Sequence, residues 1–340
     1  MRHSTIVGTG FYVPPKIVTN DDLAKLMDTS DAWIQERTGI QQRHMAEDGI
    51  GAADLAKVAV ERALADAGLT AADIDLIIFA TLNPDVFFPG SGCVLQSKMP
   101  GFGTTPALDI RQQCTGFIHA LAIADSFIRV GAYNKVLVIG AEVHSTGLDY
   151  TTRGRDVAVL FGDGAGAVIM APTENENEGI LGFTLHADGQ NYDKLWIPAP
   201  YGNVRGRISH EMIERGEHFP KMDGRAVFRH AVPRFCECIN EVLLKTGHKI
   251  EEVDLFIPHQ ANDRITHAVA DRMGLPKEKV VSNIARYGNT TAATIPICIH
   301  ESRLDGRLKK DSLLLSAAFG SGFTWASVLM RWTIEPGKDG

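Results

Sequence analysis

Residues 63–81 read ALADAGLTAADIDLIIFAT, and residues 242–260 read VLLKTGHKIEEVDLFIPHQ. Both stretches follow one plan, in which a helix end is followed by a glycine, a connector and an apolar strand that begins with Asp-Leu. Gly68 and Gly247 stand where a helix C-cap favours glycine. The two stretches lie about half the chain apart, so they predict a fold built from two similar halves.

A second pair of segments recurs in the same order and at nearly the same separation. The strand-like stretch 109–110 leads through Cys114 into a helix, and 283–284 leads through Asn289 into another. Two repeats in the same order favour duplication over chance. Apolar runs also alternate with helical stretches along the chain, which is typical of an α/β layered fold.

The composition indicates a globular protein and argues against nucleic-acid-binding and membrane-spanning classes. Of the 340 residues, 44% are hydrophobic and 22% are charged, which is typical of a globular chain with a sizeable core. The net charge of −7 and the scattered basic residues argue against a nucleic-acid-binding protein. No stretch approaches the ~20 apolar residues that span a bilayer, and the N-terminal segment turns polar too early for a secretory signal. We therefore expect a cytoplasmic protein that binds neither nucleic acid nor membranes.

Cysteine usage points to free thiols. The cysteines are Cys93, Cys114, Cys236, Cys238 and Cys298. Their odd number and scattered spacing do not suggest a disulfide framework, and no second pair completes a zinc site. We therefore expect no metal, and buried thiols at most of these positions.

Three reactive side chains follow strand-like runs and precede helices. They are Cys114, His259 and Asn289. In α/β layers, ligands gather at the carboxyl ends of strands, where helices begin. A helix start and a nearby histidine both stabilise a thiolate, so we expect Cys114 to be a nucleophile with a lowered pKa. Taken singly, each residue also fits a structural role: a buried thiol, a strand-end histidine or a turn asparagine.

The segments around these residues resemble the catalytic motifs of 3-oxoacyl-[acyl-carrier-protein] synthase III. They are residues 111–117, 258–262 and 287–293, and further matches are 28–40, 161–166 and 319–325. The resemblance covers essentially the whole chain. It implies a thiolase-like duplicated α/β fold with five αβαβα layers and two pseudo-symmetric halves. Residues 1–173 would carry the cysteine, residues 174–340 would carry the histidine and asparagine, and two chains would form a homodimer.

The resemblance also implies a decarboxylative Claisen condensation that begins fatty-acid synthesis. Cys114 would take the acyl group of an acyl-CoA, and malonyl-[acyl carrier protein] would then lose CO2 and attack it. Donors from His259 and Asn289 would stabilise the enolate oxygen, each contributing ~3–4 kcal/mol. Backbone N–H groups of Cys114, Gly320 and Ser321 would form a second oxyanion hole. The thioester substrates are the only cofactors implied.

Two groups of substrate contacts follow from the same resemblance. Trp33 and Arg37 are four residues apart on one helix face and would clamp the adenine of CoA. Further CoA contacts would come from Thr29, Asn262 and either Arg153 or Arg155, a choice that the sequence leaves open. Phe88 would limit the acyl pocket from across the dimer. Arg264 would contact the acyl carrier protein, with Arg225, Arg229 and Arg272 as weaker candidates.

The sequence leaves open which acyl group Cys114 would carry. Acetyl-CoA or another short acyl-CoA is the first expectation. A related condensing enzyme of specialised metabolism, using a longer, branched or dicarboxylic acyl-CoA, is the alternative, and a catalytically inactive acyl-CoA-binding homologue is a lower one. The extender could be carried by acyl carrier protein or by CoA. Residues 190–223 are longer than the family pattern, and Arg205 or Arg207 within them could receive a substrate carboxylate.

Overall fold

The computed structural model describes residues 2–336. The strands are β1 (His3–Tyr12), β2 (Ile17–Thr19), β3 (Gln42–His44), β4 (Leu76–Ala80), β5 (Ala107–Ile110), β6 (Val136–Glu142), β7 (Gly164–Thr173), β8 (Gly179–Ala187), β9 (Leu195–Trp196), β10 (Lys221–Met222), β11 (Leu255–Pro258), β12 (Leu313–Gly320) and β13 (Thr324–Arg331). The α-helices are α1 (Asn20–Ala24), α2 (Asp31–Thr38), α3 (Ala52–Ala67), α4 (Ser91–Lys98), α5 (Gly116–Arg129), α6 (Arg155–Ala158), α7 (His210–Glu214), α8 (Gly224–Thr246), α9 (Asp263–Met273), α10 (Ile284–Tyr287) and α11 (Thr294–Leu304).

The longer strands form two sheets that share one plan. The first has the order β1-β7-β6-β4-β5, and the second has the order β8-β13-β12-β11. In both sheets the pairs correspond: β4–β6 and β11–β12 are parallel, whereas β6–β7 and β12–β13 are antiparallel. Val280 bridges in parallel to Phe256 of β11, at the place that β5 takes in the first sheet. The duplication that the sequence predicts is therefore present in the strand order.

The helices complete five layers around these sheets. Helices α5 and α11 lie between them, since Phe117, Leu121 and Ile295 share one core with side chains from both sheets. Helix α3 packs on the outer face of the first sheet. Helices α8 and α9 cover the outer face of the second. Because the strands are buried on both faces, their sequences are continuous apolar runs rather than alternating ones.

Local features of the repeat match the expectation from sequence, with one correction. Gly68 and Gly247 end α3 and α8 in the left-handed conformation, with φ of 64° and 72°. The second correspondence, however, is shifted. Gln113 and Thr291 both have positive φ, 44° and 49°, and each begins a 3₁₀ turn that leads into a central helix. The structural counterpart of Cys114 is therefore Ala292, and the alignment of Cys114 with Asn289 was wrong by a few positions.

The segment 190–223 forms a small subdomain on the second half. Strands β9 and β10 pair antiparallel, with Leu195 opposite Met222. Helix α7 lies between them and is capped by Ser209. None of the helices within residues 2–336 is long and apolar enough to cross a lipid bilayer.

Candidate active site

Cys114 lies in the 3₁₀ turn Gln113–Thr115, directly before α5. The thiol is nearly buried, with 8% of the residue exposed. It packs against the end of β12, where a Cβ added to Gly320 would stand only 2.8 Å from the Cys114 sulfur. Glycine is required at 320 because any side chain there would occupy the space beside the thiol.

The pKa of the Cys114 thiol is raised, whereas the sequence led us to expect a lowered one. Burial, with a smaller contribution from the nearby Glu142, raises it to about 12. The backbone N–H groups of Ser321 and Cys114 favour the thiolate but do not offset the burial. His259 supplies no positive charge, because burial lowers its own pKa to about 3. The prediction of a lowered thiol pKa in the resting protein was therefore wrong, since it did not allow for desolvation.

His259 follows β11 and is held by a side chain that the sequence did not single out. Its Nδ1 lies 2.8 Å from the Thr294 hydroxyl, which also lies 3.0 Å from the carbonyl oxygen of Thr291. The Nε2 atom is buried and has no hydrogen-bond partner among residues 2–336. A buried polar atom left unpaired is costly, so this nitrogen is suited to meet a polar substrate atom.

Asn289 is fixed at both its backbone and its side chain. Its N–H donates to the Leu160 carbonyl at 2.8 Å, and its own carbonyl accepts the N–H of Gly162 at 3.1 Å. Its side-chain oxygen accepts the N–H of Thr291 at 2.8 Å. The side-chain N–H₂ group is then the part of Asn289 that can donate to a ligand in the cavity.

One cavity of about 530 Å³ joins most of the predicted residues. Its lining includes Trp33, Arg37, Cys114, Asn262, Arg264, Asn289 and Gly320, together with Leu195 and Met222 of the 190–223 segment. His259 is not among the lining residues and is linked to the lining residue Asn289 through Thr294 and Thr291. The opening is therefore basic and aromatic, and the deep end holds the thiol. Within residues 2–336, no cluster of histidine, cysteine, aspartate or glutamate side chains has the grouping of a metal site.

The neutral state of His259 makes the protein sensitive to acid. The pKa of this histidine is about 3 when folded and near 6.5 when unfolded. Above pH 6.5 neither state is protonated, and as the pH falls toward 3 only the unfolded state gains the proton, so stability is lost. Between pH 7 and 5 this loss amounts to roughly 2 kcal/mol.

We expect His259→Asn to reduce that loss, because asparagine does not titrate. Urea unfolding at pH 7 and pH 5 measures the free energy of unfolding of both proteins. An identical drop in stability for the wild type and the variant would contradict a neutral His259.

The residues expected to bind CoA lie on α2 and beside both of its ends. Ser30 caps the helix by accepting the Trp33 N–H at 3.2 Å. The Thr29 hydroxyl is buried and lacks a partner among residues 2–336. The Arg37 guanidinium lies 4.4 Å above the Trp33 ring. A planar ring that entered between the two would require Arg37 to swing outward.

The two arginines that the sequence left as alternatives, Arg153 and Arg155, have different neighbours in the structure. The Arg155 guanidinium lies 5.2 Å from the Trp33 ring centroid. Arg153 is tied to Asp149 and to the Glu214 carbonyl of the 190–223 segment. Arg155 is thus the one beside the α2 residues. Asn262 caps α9 and donates to the Arg37 carbonyl at 2.8 Å, which ties α9 to α2.

The other predicted contacts lie near the mouth of the cavity or on the surface. The Arg264 guanidinium covers the Phe228 ring at 5.7 Å, and both residues line the opening with Arg225 and Arg229. Phe88 is 79% exposed on a single chain. Arg207 does not point into the cavity lining but lies over the ring of Phe87 at 4.8 Å.

Two buried residues at the site were missed from sequence. Thr294 carried no signal beyond its position five residues after Asn289. Glu142 did carry one, because it ends the apolar run of β6 with a charge and is fully buried. Burial raises the pKa of its carboxyl to about 8.

Comparisons with known proteins agree on one family. The family model described as 3-oxoacyl-[acyl-carrier-protein (ACP)] synthase III matches residues 108–189, and the model of its C-terminal part matches residues 243–332. The β-ketoacyl-[acyl-carrier-protein] synthase III of Caulobacter vibrioides is 45% identical over 96% of this chain and 99% of its own. That of Koribacter versatilis is 41% identical over 98% of both chains.

Solved structures give the same result. The 3-oxoacyl-[acyl-carrier-protein] synthase III of Aquifex aeolicus matches with a TM-score of 0.87 and 43% identity, over 97% of this chain and all of its own. The priming β-ketosynthase of the R1128 polyketide biosynthetic pathway matches with a TM-score of 0.88 and 30% identity, over 99% of this chain and 98% of its own. The fold is therefore the duplicated thiolase-like one.

Proposed function

The chain belongs to the 3-oxoacyl-[acyl-carrier-protein] synthase III family of acyltransferases, and we propose that it condenses an acyl-CoA with malonyl-[acyl carrier protein]. The acyl group is acetyl or another short chain, and the product begins a fatty acid. The observation that carries this proposal is the single cavity that joins an indole and guanidinium pair at its mouth to a thiol at its deep end.

The first half-reaction transfers the acyl group. The Cys114 sulfur attacks the thioester carbonyl of acyl-CoA, the C–S bond to CoA breaks, and the thiol proton leaves with CoA. The N–H groups of Cys114 and Ser321 stabilise the oxyanion, as their effect on the thiolate indicates. The buried thiol is protonated at rest, so negative charge develops on sulfur only within this dry site.

The second half-reaction forms the carbon–carbon bond. The malonyl thioester loses CO2, and its carbonyl oxygen gains negative charge that the Asn289 N–H₂ group and His259 Nε2 stabilise. For His259 to donate through Nε2, its Nδ1 must accept a hydrogen bond from the Thr294 hydroxyl, which then turns away from the Thr291 carbonyl. The enolate carbon then attacks the acyl-cysteine carbonyl, the C–S bond to Cys114 breaks, and the 3-oxoacyl thioester leaves while the Cys114 thiolate takes up a proton from solvent.

Mass spectrometry of the intact protein after exposure to an acyl-CoA panel tests the proposal. We expect a mass increase that corresponds to one acyl group, greatest for acetyl or another short chain. Malonyl-[acyl carrier protein] should then return the protein to its original mass. A chain that binds acyl-CoA without gaining mass would instead be an inactive homologue.

The acyl-CoA panel also tests a second function. The likeness to a priming β-ketosynthase of a polyketide pathway supports a role in specialised metabolism. The long 190–223 segment supports it as well, because Leu195 and Met222 form part of the cavity wall. A marked preference for longer, branched or dicarboxylic acyl groups would favour this function over fatty-acid priming.

Two partner surfaces complete the proposal. The exposed Phe88 and Phe87 rings form an apolar surface that a second copy of the chain would cover. We propose that the homodimer forms here and that Phe88 limits the acyl pocket of the partner. The acidic carrier protein would dock on the basic rim around Arg264.

Trp33→Ala should weaken the binding of acyl-CoA. Loss of the stacking surface removes roughly 1–2 kcal/mol, which corresponds to a rise in KM for acyl-CoA of about tenfold with kcat changed less than about twofold. Steady-state kinetics with varied acyl-CoA measures both constants. Tyr192→Ala is the control, because Tyr192 is an exposed aromatic residue outside the cavity lining. An equal rise in KM for both variants would contradict a specific contact.

A further inference from the structure

In each half of the chain, the 3₁₀ turn that precedes the central helix packs against a strand of the other half. The turn Gln113–Thr115 packs against β12, and the turn Thr291–Ala293 packs against β6. The two strands end at equivalent places: Gly320 is paired with the first residue of β13, and Glu142 is paired with the first residue of β7. The fold therefore contains two equivalent arrangements of a turn beside a strand end. One is the catalytic copy, which carries Cys114, and the other is a second copy of the same framework.

The two copies differ in what fills the space beside the turn. At the catalytic copy, a Cβ on Gly320 would lie 2.5 Å from the Cys114 Cβ and 3.2 Å from its nitrogen. Glycine therefore leaves that N–H open to a substrate oxygen. At the other copy, Glu142 stands at the strand end. Its carboxyl oxygen lies 3.8 Å from His144 Nε2, which in turn lies 2.5 Å from the Thr291 hydroxyl oxygen. The Ala292 N–H favours the ionised form of Glu142.

Glu142 meets a full set of donors in this second copy. Its carboxylate accepts the Leu82 N–H at 2.8 Å, the Asn83 N–H at 3.2 Å and the Thr81 hydroxyl at 3.2 Å. The residue is 0% exposed. These donors offset part of the cost of burying the carboxyl group. The position of Glu142 at its strand end corresponds to that of Gly320 in the catalytic copy.

The turn that Glu142 contacts also sets the two enolate donors. The Thr291 N–H donates to the Asn289 side-chain oxygen at 2.8 Å. The Thr294 hydroxyl reaches the Thr291 carbonyl at 3.0 Å and His259 Nδ1 at 2.8 Å. A displacement of this turn would therefore move both donors. Cys114 stands on the other turn.

We propose that Glu142 is a positioning residue, which fills the second copy of the catalytic framework and thereby holds the Thr291–Ala293 turn that places Asn289 and His259. The role in catalysis rests on the proposed function. It predicts that loss of Glu142 impairs decarboxylation much more than acyl transfer to Cys114.

Glu142→Gly in the full-length protein recreates the empty space found beside Cys114. We expect the decarboxylation of malonyl-[acyl carrier protein] to fall about tenfold or more, and the acylation of Cys114 by acetyl-CoA to change less than about threefold. Formate added to the variant should restore most of the lost rate, because it supplies a carboxylate to the same N–H donors. Formate should not affect the wild type.

Hydrogen exchange gives a readout that does not depend on the reaction. Amides of the Thr291–Ala293 turn should exchange faster in the Glu142→Gly variant and regain protection with formate. Asp125→Asn is the matched control, because Asp125 is a buried carboxylate bound to Ser4 and Arg129. It should leave this turn unchanged.

Three results would overturn the role of Glu142. They are unchanged exchange of the turn, equal loss of both half-reactions, and a variant that keeps wild-type decarboxylation. If the glycine variant does not fold, Glu142→Gln provides the same comparison, since its amide cannot accept from all the N–H donors. If the wild type itself fails to condense the substrates, the proposed function fails, whereas the exchange experiment still tests the position of the turn.

Discussion

Cys114→Ala is expected to abolish the acyl-enzyme. Without the sulfur there is no group at the deep end of the cavity to take the acyl chain, so intact mass should not change with any acyl-CoA. Condensation should fall by at least about a thousandfold. Malonyl-[acyl carrier protein] should still be decarboxylated, because Asn289 and His259 remain in place. The two measurements therefore separate loss of the nucleophile from collapse of the site.

The matched controls for Cys114→Ala are the other thiols. Cys93 is exposed and lies on α4, whereas Cys298 is fully buried on α11. Cys93→Ala and Cys298→Ala should both keep acyl-enzyme formation. Normal condensation by the Cys114→Ala protein would rule out the covalent mechanism.

Removal of the enolate donors should give the opposite pattern. Asn289→Ala and His259→Ala should each slow decarboxylation by about a hundredfold to a thousandfold, since each donor contributes ~3–4 kcal/mol at the developing charge. Acylation of Cys114 should change less than about threefold. Single-turnover measurements of CO2 release and of acyl transfer give the two rates separately.

Asn289→Asp sharpens this test without changing the size of the side chain. One carboxylate oxygen can still accept the Thr291 N–H, so the turn keeps its anchor. The other oxygen replaces the N–H₂ group and can no longer donate. We expect a loss as large as that of Asn289→Ala. Decarboxylation near the wild-type rate would mean that Asn289 only shapes the turn.

The sequence was sufficient to place two of the three proposed catalytic residues at strand-to-helix junctions. Cys114 and His259 follow β5 and β11 and precede helices, whereas Asn289 follows α10 and not a strand. The repeat around Gly68 and Gly247 indicated the duplication, because helix C-caps are local features.

What the sequence could not provide depends on packing between distant segments. The counterpart of Cys114 was misplaced because a longer segment, which contains α10, separates Val280 from the Thr291–Ala293 turn than separates β5 from the Gln113–Thr115 turn. The pKa of the thiol was misjudged because burial by β12 cannot be derived from the residues near Cys114. Thr294 and Glu142 contact residues that are distant in the chain: Thr294 reaches His259, and Glu142 reaches Thr81 and Leu82.

Because each turn packs against a strand of the other half, the chain cannot be cut between its halves without disturbing both turns. A cut between β7 and β8 separates the two sheets neatly, yet it takes the catalytic turn away from the strand that supports it. Each fragment would then contain a turn whose supporting strand lies in the other fragment. Activity should therefore return only when the two fragments reassemble.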